Sequence, residues 1–575
     1  MQILQLDVDN VRYELVEPEI KVHEEMTERS ESINDAVVLL VSVEKGDDEG
    51  TAKKAVEEAA GFMSALKRTK MLIYPFAHLS MNLEEPEKAL GILRIMRARA
   101  KELGLELYSA PFGWNKRFGY YTKGHPLAEQ SRRYGPDGVA AGPAEKHSVQ
   151  RNQEPETEES LLARVRKSDF SSLPETDHRI IGERLDLFSF QEPSPGMVYW
   201  HSKGLVVWDQ LKAFIRSELK ARGYIEISTP ALANVTLWKV SGHWDHYRND
   251  MFLTKLRDEE FGLKPMNCPS TFLVYKSRKW SYKELPVRIA IFDTLYRNEL
   301  SGVASGLFRV KALTQDDAHL FVTEEQIGKE IESILDLMKK LYNVFGLNEK
   351  MIKLSTMPDS HVGTKEDWDH ATDVLKEAIT KAGLNFEIKE KEGAFYGPKI
   401  DVDVKDSMGR WWQCATIQVD FQMPKRFRLS YTADDGTEKT PIVIHRAIYG
   451  SLERFIGIIT EHYQGSFPAW MSPVQAVVIP ISDQAREYAG LVNDRLSAAG
   501  IRSEFDSSDK TMQYKIREAQ LQKIPYMIVV GSREAEAGTI SVRTRNGTQK
   551  HGLKVEEFIS AVSAEIKANS DKLSY

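Results

Sequence analysis

The sequence predicts a multidomain chain of α/β and α+β type, and three observations carry that prediction. At 575 residues the chain is longer than one hydrophobic core usually supports. Apolar runs alternate with helix-spaced segments near both ends, whereas the middle joins strand-like runs through long irregular connections. A small, polar, Pro/Gly-rich stretch over 135–160, GPDGVAAGPAEKHSVQRNQEPETEES, has no apolar period and reads as a linker.

Residues 1 to about 135 read as α/β. The runs VDNVRYELV, NDAVVLLVSV, KMLIYPFAHL and LELYSAPF suit strands. TAKKAVEEAAGFMSALKR and PEKALGILRIMRARAKEL have helical spacing, as in Leu90, Leu93, Met96 and Leu103, and Gly104 ends the second helix. From about 186 to 470 the pattern changes. Trp208, Leu211, Ile215 and Leu219 form one helical stripe, and YIEISTP, RIAIFDTLYR and PIVIHRAI are strand-like. Strands without regular βαβ alternation predict an antiparallel sheet with helices to one side. The last 105 residues alternate cleanly: VQAVVIPIS, IRSEFD, PYMIVVG and TISVRTR as strands, and DQAREYAGLVNDRLSAAG, TMQYKIREAQLQK and VEEFISAVSAEIKA as helices. They predict a small α/β domain with a parallel or mixed sheet.

Composition narrows the function classes. An apolar content of 42% and a charged content of 28% are ordinary for a soluble globular protein. Two cysteines, Cys268 and Cys414, give no disulfide framework and point to a reducing compartment. The opening MQILQLDVDN lacks the basic and apolar regions of a signal peptide, and the apolar run AVVLLVSV is too short to span a bilayer. A cytoplasmic protein with no membrane partner is expected. A net charge of −7 argues against a general nucleic-acid coat protein. Locally, Arg97, Arg99, Lys101, Lys116, Arg117, Lys123 and Arg132 concentrate positive charge, which suits either phosphate contact or a solvated basic face.

Three polar residues occupy apolar contexts: Cys268 in KPMNCPST, His319 in TQDDAHLF and His445 in IVIHRAI. Each alone fits a core position as well as a metal ligand, and periodicity does not bring them together. Arginines supply the second constellation. In TLYRNELSGVASGLFRVKAL, Arg297 and Arg309 flank a small-residue loop. Such forks match polyphosphate oxygens, although exposed arginines on a hairpin read the same way. Arg454 stands among the helical apolar residues of GSLERFIGIITEHY, and the phosphate-loop signature GxxxxGK[ST] is absent.

The motifs SPGMVYWHSKG, ISTPAL, LWKVSGHWDHY, KPMNCP, YRNELSG…FRVKALTQDDAHLF, GAFYGPKIDV, WWQCATIQVDF and VIHRAIYGSLERFIGIITE follow in order over roughly 195–465. Together they resemble the catalytic domain of the threonine–tRNA ligases, which are class II aminoacyl-tRNA synthetases. The tail resembles that family's anticodon-binding domain. YPFAHLS and APFGW…KGHPLAEQSR resemble the archaeal-type N-terminal editing domain, related in fold to D-aminoacyl-tRNA deacylases. The resemblance implies an editing domain over 1–137, a linker over 138–185, a class II antiparallel-sheet catalytic domain over 186–470 and an α/β anticodon-binding domain over 471–575.

The same resemblance implies ATP-dependent joining of L-threonine to tRNA(Thr) through threonyl-adenylate. It makes Cys268, His319 and His445 the ligands of one Zn²⁺ per subunit, with an open position for the substrate's amine and hydroxyl. Valine brings no oxygen to zinc. Serine lacks only a methyl group, worth roughly 1–3 kcal/mol, so a hydrolytic editing step against seryl-tRNA(Thr) is expected. Arg297 is placed on the carboxylate and α-phosphate, Glu299 on the adenine amino group, and Arg309 and Arg454 on the phosphates with Mg²⁺. Gln315, Asp317, Tyr396 and Gln413 line the amino-acid pocket, Gln413 also facing the nucleotide. Lys399 approaches the reacting centre, and His243 assists transfer to the tRNA ribose. Pro230 lies at a homodimer contact. Glu534 and Arg543 match anticodon-reading positions, and His78 and Lys123 fall in the editing site.

Four departures accompany the likeness: Ser270-Thr271 replace Gly-His, Asp509 replaces an asparagine, and the glutamate expected soon after KGHPLAEQSR is missing, with Asp137 the nearest carboxylate. A charging-only ligase whose N-terminal domain clamps tRNA, and a non-catalytic RNA-binding regulatory paralogue, are the alternative readings.

Overall fold

The protein is described by a computed structural model covering residues 1–25, 29–66, 68–80, 82–123, 128–134, 173–299, 306–359 and 361–575. The chain divides into two compact units, Met1–Glu156 and Thr157–Tyr575. No helix among the described residues is long and apolar enough to cross a membrane.

The first unit is a six-stranded sheet built on the long strand Gln2–Pro18. That strand pairs antiparallel with Ser30–Ser42, Trp114–Thr122 and Glu129–Arg133, while Lys70–Pro75 and Glu106–Ser109 continue in parallel beyond Ser30–Ser42. The run AVVLLVSV is apolar throughout because both of its faces are covered. Val37, Leu39 and Val41 pack under the helices Glu49–Ala65 and Pro86–Glu102, and Val38 and Leu40 join Leu6, Val8, Leu72 and Tyr74 on the opposite face. Strands Trp114–Thr122 and Glu129–Arg133 were not legible in the sequence. The first has charged and exposed residues along its length, as edge strands do.

The second unit holds an eight-stranded sheet in the order Phe386–Lys389, Lys350–Ser355, Lys399–Lys405, Trp411–Asp420, Ile442–Ala447, Asp317–Val322, Val287–Ile291 and Ile225–Ile227. Its six inner strands pair antiparallel, and each outermost strand is parallel to its neighbour. Helices Ser202–Ala221, Ile327–Val344 and Leu452–His462 bury their apolar stripes in the core cluster below this sheet. In the first of them Val207 is more fully buried than the predicted Trp208, which packs at the margin.

Two details differ from expectation. RIAIFDTLYR is two strands, Val287–Ile291 and Thr294–Tyr296; the second leaves the main sheet to pair with Ala312–Thr314. Asp293 marks the break, accepting from Thr229 N at 2.7 Å and from Lys264 Nζ at 2.5 Å. Second, residues 173–185, inside the expected linker, belong to the second unit: helix His178–Arg184 places Ile181 and Leu185 in its main core.

The C-terminal segment forms a five-stranded mixed sheet ordered Ser503–Phe505, Ala476–Pro480, Tyr526–Val530, Thr539–Thr544 and Gln549–Lys554. The last strand and the short helix Ser532–Ala537 are additions to the expected elements.

Candidate active site

The antiparallel register builds the site. Lys399 lies opposite Gln418, Gln418 opposite His445, and His445 opposite His319. One row across four strands therefore carries three of the predicted site residues. Alternation along Asp317–Val322 puts Asp317 and His319 on the same face. That face opens into a cavity of about 670 Å³, a volume in the range of ligand sites. Arg297, Glu299, Arg309, Gln315, Tyr396, Gln413 and Arg454 line it as well. Every predicted pocket and nucleotide residue of this domain is brought together except His243.

Cys268 enters from the first turn of helix Cys268–Lys276, and the ligand atoms of Cys268, His319 and His445 all lie within 4.8 Å of one another. His319 Nδ1 is buried without a hydrogen-bond partner among the described residues. His445 Nε2 lies 3.0 Å from Asp420 Oδ2, so a proton held there leaves Nδ1 as the lone-pair nitrogen. Burial, followed by the Asp317 and Asp420 carboxylates, holds the Cys268 thiol well above its ordinary range. Burial and the neighbouring His445 keep His319 well below its own, and therefore neutral. One thiol and two imidazoles, one of them with an orphaned ring nitrogen, form a donor set that fits a soft divalent cation such as zinc. The carboxylate behind His445 is the usual orienting partner of a metal-bound histidine.

Three arginines line the same cavity. Arg297 is steadied by Nε donation to Pro265 O at 3.2 Å, and Arg309 donates from Nε to Glu299 Oε2 at 3.0 Å. Arg454 donates from Nε to Phe308 O at 3.1 Å. Asp317 accepts from Asn267 Nδ2 at 3.2 Å, and burial raises its carboxyl above the ordinary value. Tyr396 donates its hydroxyl to Gln418 Oε1. Lys399 pairs with Asp401 at 2.7 Å, and Asp401 also takes Gln413 Nε2 at 2.7 Å and Thr416 Oγ1 at 2.9 Å. Such an arrangement can hold an ammonium near Asp317, a hydroxyl near the Cys/His cluster and phosphates at the arginines.

Sequence reasoning missed Asp401, Gln418 and Asp420. All three stand inside the quoted motifs, and Asp401 is two residues after Lys399, so strand alternation alone puts them on one face.

His243 is fully buried at the start of helix His243–Tyr247, its Nε2 facing Met266 Sδ at 2.9 Å and its Nδ1 facing Ser241 Oγ at 2.8 Å. Met266 lines the cavity and His243 lies behind it. Ser270 and Thr271 are buried in the helix begun by Cys268, and Thr271 Oγ1 donates to Asn267 O at 3.1 Å, so these two small hydroxyl residues are accommodated without a cavity-facing role. Pro230 is exposed beyond the edge strand Ile225–Ile227.

In the C-terminal domain, Glu534 accepts from Gly531 N at 3.0 Å and Ser541 Oγ at 2.8 Å, while Arg543 Nε is buried with no partner among the described residues. Asp509 is exposed and pairs with Arg486. In the first unit, Lys123 Nζ is gripped by Asp9 at 2.5 Å and Asp35 at 2.8 Å, the pairing with Asp35 first among the causes that raise the lysine's pKa. His78 lies in the turn Ala77–Leu79 after strand Lys70–Pro75, its side chain outside the described set; residues 124–127 of the KGHP motif and Asp137 also lie outside it. The basic concentration resolves into ion pairs, Arg97 with Glu24, Arg99 with Glu57, Arg117 with Glu14 and Arg132 with Glu58.

Comparison with known proteins gives a consistent picture along the chain. The Archaea-specific editing domain of threonyl-tRNA synthetase matches residues 1–134, the tRNA synthetase class II core domain (G, H, P, S and T) matches 252–463, and an anticodon binding domain matches 475–565. A threonine–tRNA ligase of Caldanaerobacter subterraneus subsp. tengcongensis is 50% identical over 390 residues, covering 68% of this chain and 60% of that one. The chain thus spans about 60% of the length of the curated relatives it matches. The solved RNA binding domain of threonyl-tRNA synthetase from Cryptosporidium parvum Iowa II is 41% identical with a TM-score of 0.66, covering 69% of this chain and 99% of that one. A prolyl-tRNA synthetase of Giardia lamblia, at 18% identity and a TM-score of 0.53, covering 68% of this chain and 78% of that one, shares the fold.

Proposed function

We propose, from the premise that this chain belongs to the threonine–tRNA ligase (threonyl-tRNA synthetase) family, that it joins L-threonine to tRNA(Thr) at the expense of ATP through threonyl-adenylate. The observation that carries the reading is the shared cavity: the Cys268–His319–His445 cluster and the guanidinium groups of Arg297, Arg309 and Arg454 line the same space. A regulatory RNA-binding paralogue has no use for both.

Zn²⁺ held by Cys268, His319 and His445 supplies a Lewis-acid position that favours an amino acid bearing both an amine and a hydroxyl. The chain's own residues do the rest. Asp317 receives the ammonium, and Gln315, Tyr396 and Gln413 close around the side chain. Arg297 holds the carboxylate against the α-phosphate and stabilises the negative charge that grows as the carboxylate oxygen attacks phosphorus and pyrophosphate leaves. Glu299 faces the adenine amino group, and Arg309 and Arg454 bind the departing phosphates together with the Mg²⁺ that accompanies ATP. Lys399, paired with Asp401, approaches the same centre. For the second half-reaction His243 must gain access to the ribose past Met266. Glu534 and Arg543 read the anticodon, the Arg543 Nε, which has no partner among the described residues, offering a donor.

The N-terminal domain, over about 1–137, then hydrolyses seryl-tRNA(Thr), with Lys123 and His78 at its site. Lys123's double carboxylate grip favours one further reading, in which this domain clamps tRNA without hydrolysis. A cytoplasmic homodimer completes the proposal: strand Ile225–Ile227 is an open sheet edge on which Ile225 is 51% exposed, beside Pro230.

ATP–pyrophosphate exchange with threonine, serine and valine tests the charging reaction. Threonine-dependent exchange with valine rejected is expected, and its absence removes the reading. Deacylation of seryl-tRNA(Thr) by wild type and Lys123→Ala tests editing; the variant should lose it. Unchanged hydrolysis removes the lysine assignment, and no hydrolysis by wild type selects the clamp.

A further inference from the structure

Helix His178–Arg184 contributes nothing to the cavity lining, yet its first residue is among the most enclosed polar groups of the protein. His178 Nδ1 lies 2.6 Å from Glu461 Oε1, and its backbone N donates to the same oxygen at 2.9 Å. Its Nε2 accepts from Leu307 N at 2.9 Å. With Nε2 accepting, Nδ1 carries the proton, so both ring nitrogens are engaged. Although Asp177, His178 and Glu461 are close enough to hold an ion, the imidazole has no lone pair left to offer one.

What this histidine holds is the short turn Gly306–Phe308. The turn feeds directly into Arg309, and its last carbonyl receives Arg454 Nε at 3.1 Å. Both arginines of the proposed phosphate clamp therefore depend on its position. The ring also packs on Phe308 with centroids 4.2 Å apart, and Phe308 packs on Trp412 at 4.2 Å. Glu461 is in turn fixed by Arg410, which pairs with Asp406, and Trp412 Nε1 donates to Asp406 Oδ2 at 2.8 Å. Gly306 leaves the space: at φ +54°, a Cβ there would stand 2.2 Å from His178 Nε2.

We infer that His178 is a positioning residue for ATP, setting the turn from which Arg309 and Arg454 reach the nucleotide's phosphates. The inference rests on the ligase reading above. A hydrogen bond to a backbone N–H suits the task because it fixes main chain, on which both arginine contacts hang, and a buried N–H left unmet moves rather than stays.

The test is steady-state ATP–pyrophosphate exchange in the whole 575-residue chain, with KM for ATP, KM for threonine and bound zinc measured together. His178→Leu should raise KM for ATP about tenfold or more while KM for threonine and zinc content stay at wild-type values. His178→Gln, whose amide oxygen can accept from Leu307 N, should restore most of the affinity. Gly306→Ala should reproduce the ATP defect with His178 intact, and it decides the matter if His178→Leu does not fold. An unchanged KM for ATP in Gly306→Ala, or an equal loss of threonine and ATP affinity in either variant, overturns the inference. Absence of exchange in wild type instead overturns the ligase reading on which it rests.

Discussion

The Nε2 of His445 lies 3.0 Å from the Oδ2 of Asp420; both residues are buried, and His445 lines the cavity while Asp420 does not. The pair fixes the ring's orientation, and a proton held at Nε2 leaves Nδ1 as the lone-pair nitrogen. A metal ligand needs that tautomer, and the carboxylate makes it the more basic donor.

Asp420 is therefore expected to govern zinc affinity without touching zinc. Asp420→Asn keeps the size and a hydrogen-bonding oxygen but gives up the charge. Competition with a chromophoric chelator should show zinc affinity reduced about 10–100-fold. Wild-type affinity in the variant would mean that the imidazole is oriented by packing alone.

Glu453 supplies a pH dependence. Its carboxyl oxygens both lie 3.0 Å from Thr314 N, and burial pushes its pKa up to about 8 from the ordinary 4.5. Between those two values the folded state keeps a proton that the unfolded chain releases. Rising pH therefore removes stability across this window, and the loss levels off above about 8. Glu453→Gln retains an oxygen for Thr314 N and has no proton to lose. Thermal melts from pH 5 to 8 should show the variant's Tm gaining on wild type as pH rises. A constant difference between the two would contradict the assignment.

Gly397 is set where no side chain fits, since an added Cβ would stand 2.1 Å from Val419 O. Val419 is flanked by Gln418 and Asp420, and Tyr396 donates to Gln418, so displacement there reaches the amino-acid pocket. Gly397→Ala should cost about 1–3 kcal/mol of stability and raise KM for threonine more than KM for ATP. Equal effects on both substrates, or none, would show that the backbone relaxes without moving the pocket.

Much of this arrangement was visible in the residues themselves. The ordered motifs carried the family likeness, strand alternation assigned the apolar runs, and the C-terminal domain followed from its alternating periods. Cross-strand register was not visible. Nothing in TQDDAHLF and PIVIHRAI says that His319 and His445 face each other, because that pairing joins residues 126 positions apart. The helix His178–Arg184 escaped because seven residues are too few for a 3.6-residue period to declare itself. The basic concentration in the first unit read as a surface because the partners come from elsewhere in the chain, as with Glu24, 73 residues from Arg97. Lys123 shows the same effect: Asp9 and Asp35 are remote in sequence and adjacent in space.

The central claim, that a cysteine and two histidines hold the ion that selects the amino acid, is tested most directly by metal analysis of the purified protein coupled to exchange. Wild type should contain one zinc per chain and activate threonine, and Cys268→Ala should remain folded, contain none and fail to activate it. Zinc at full stoichiometry with normal threonine activation in Cys268→Ala would contradict the account.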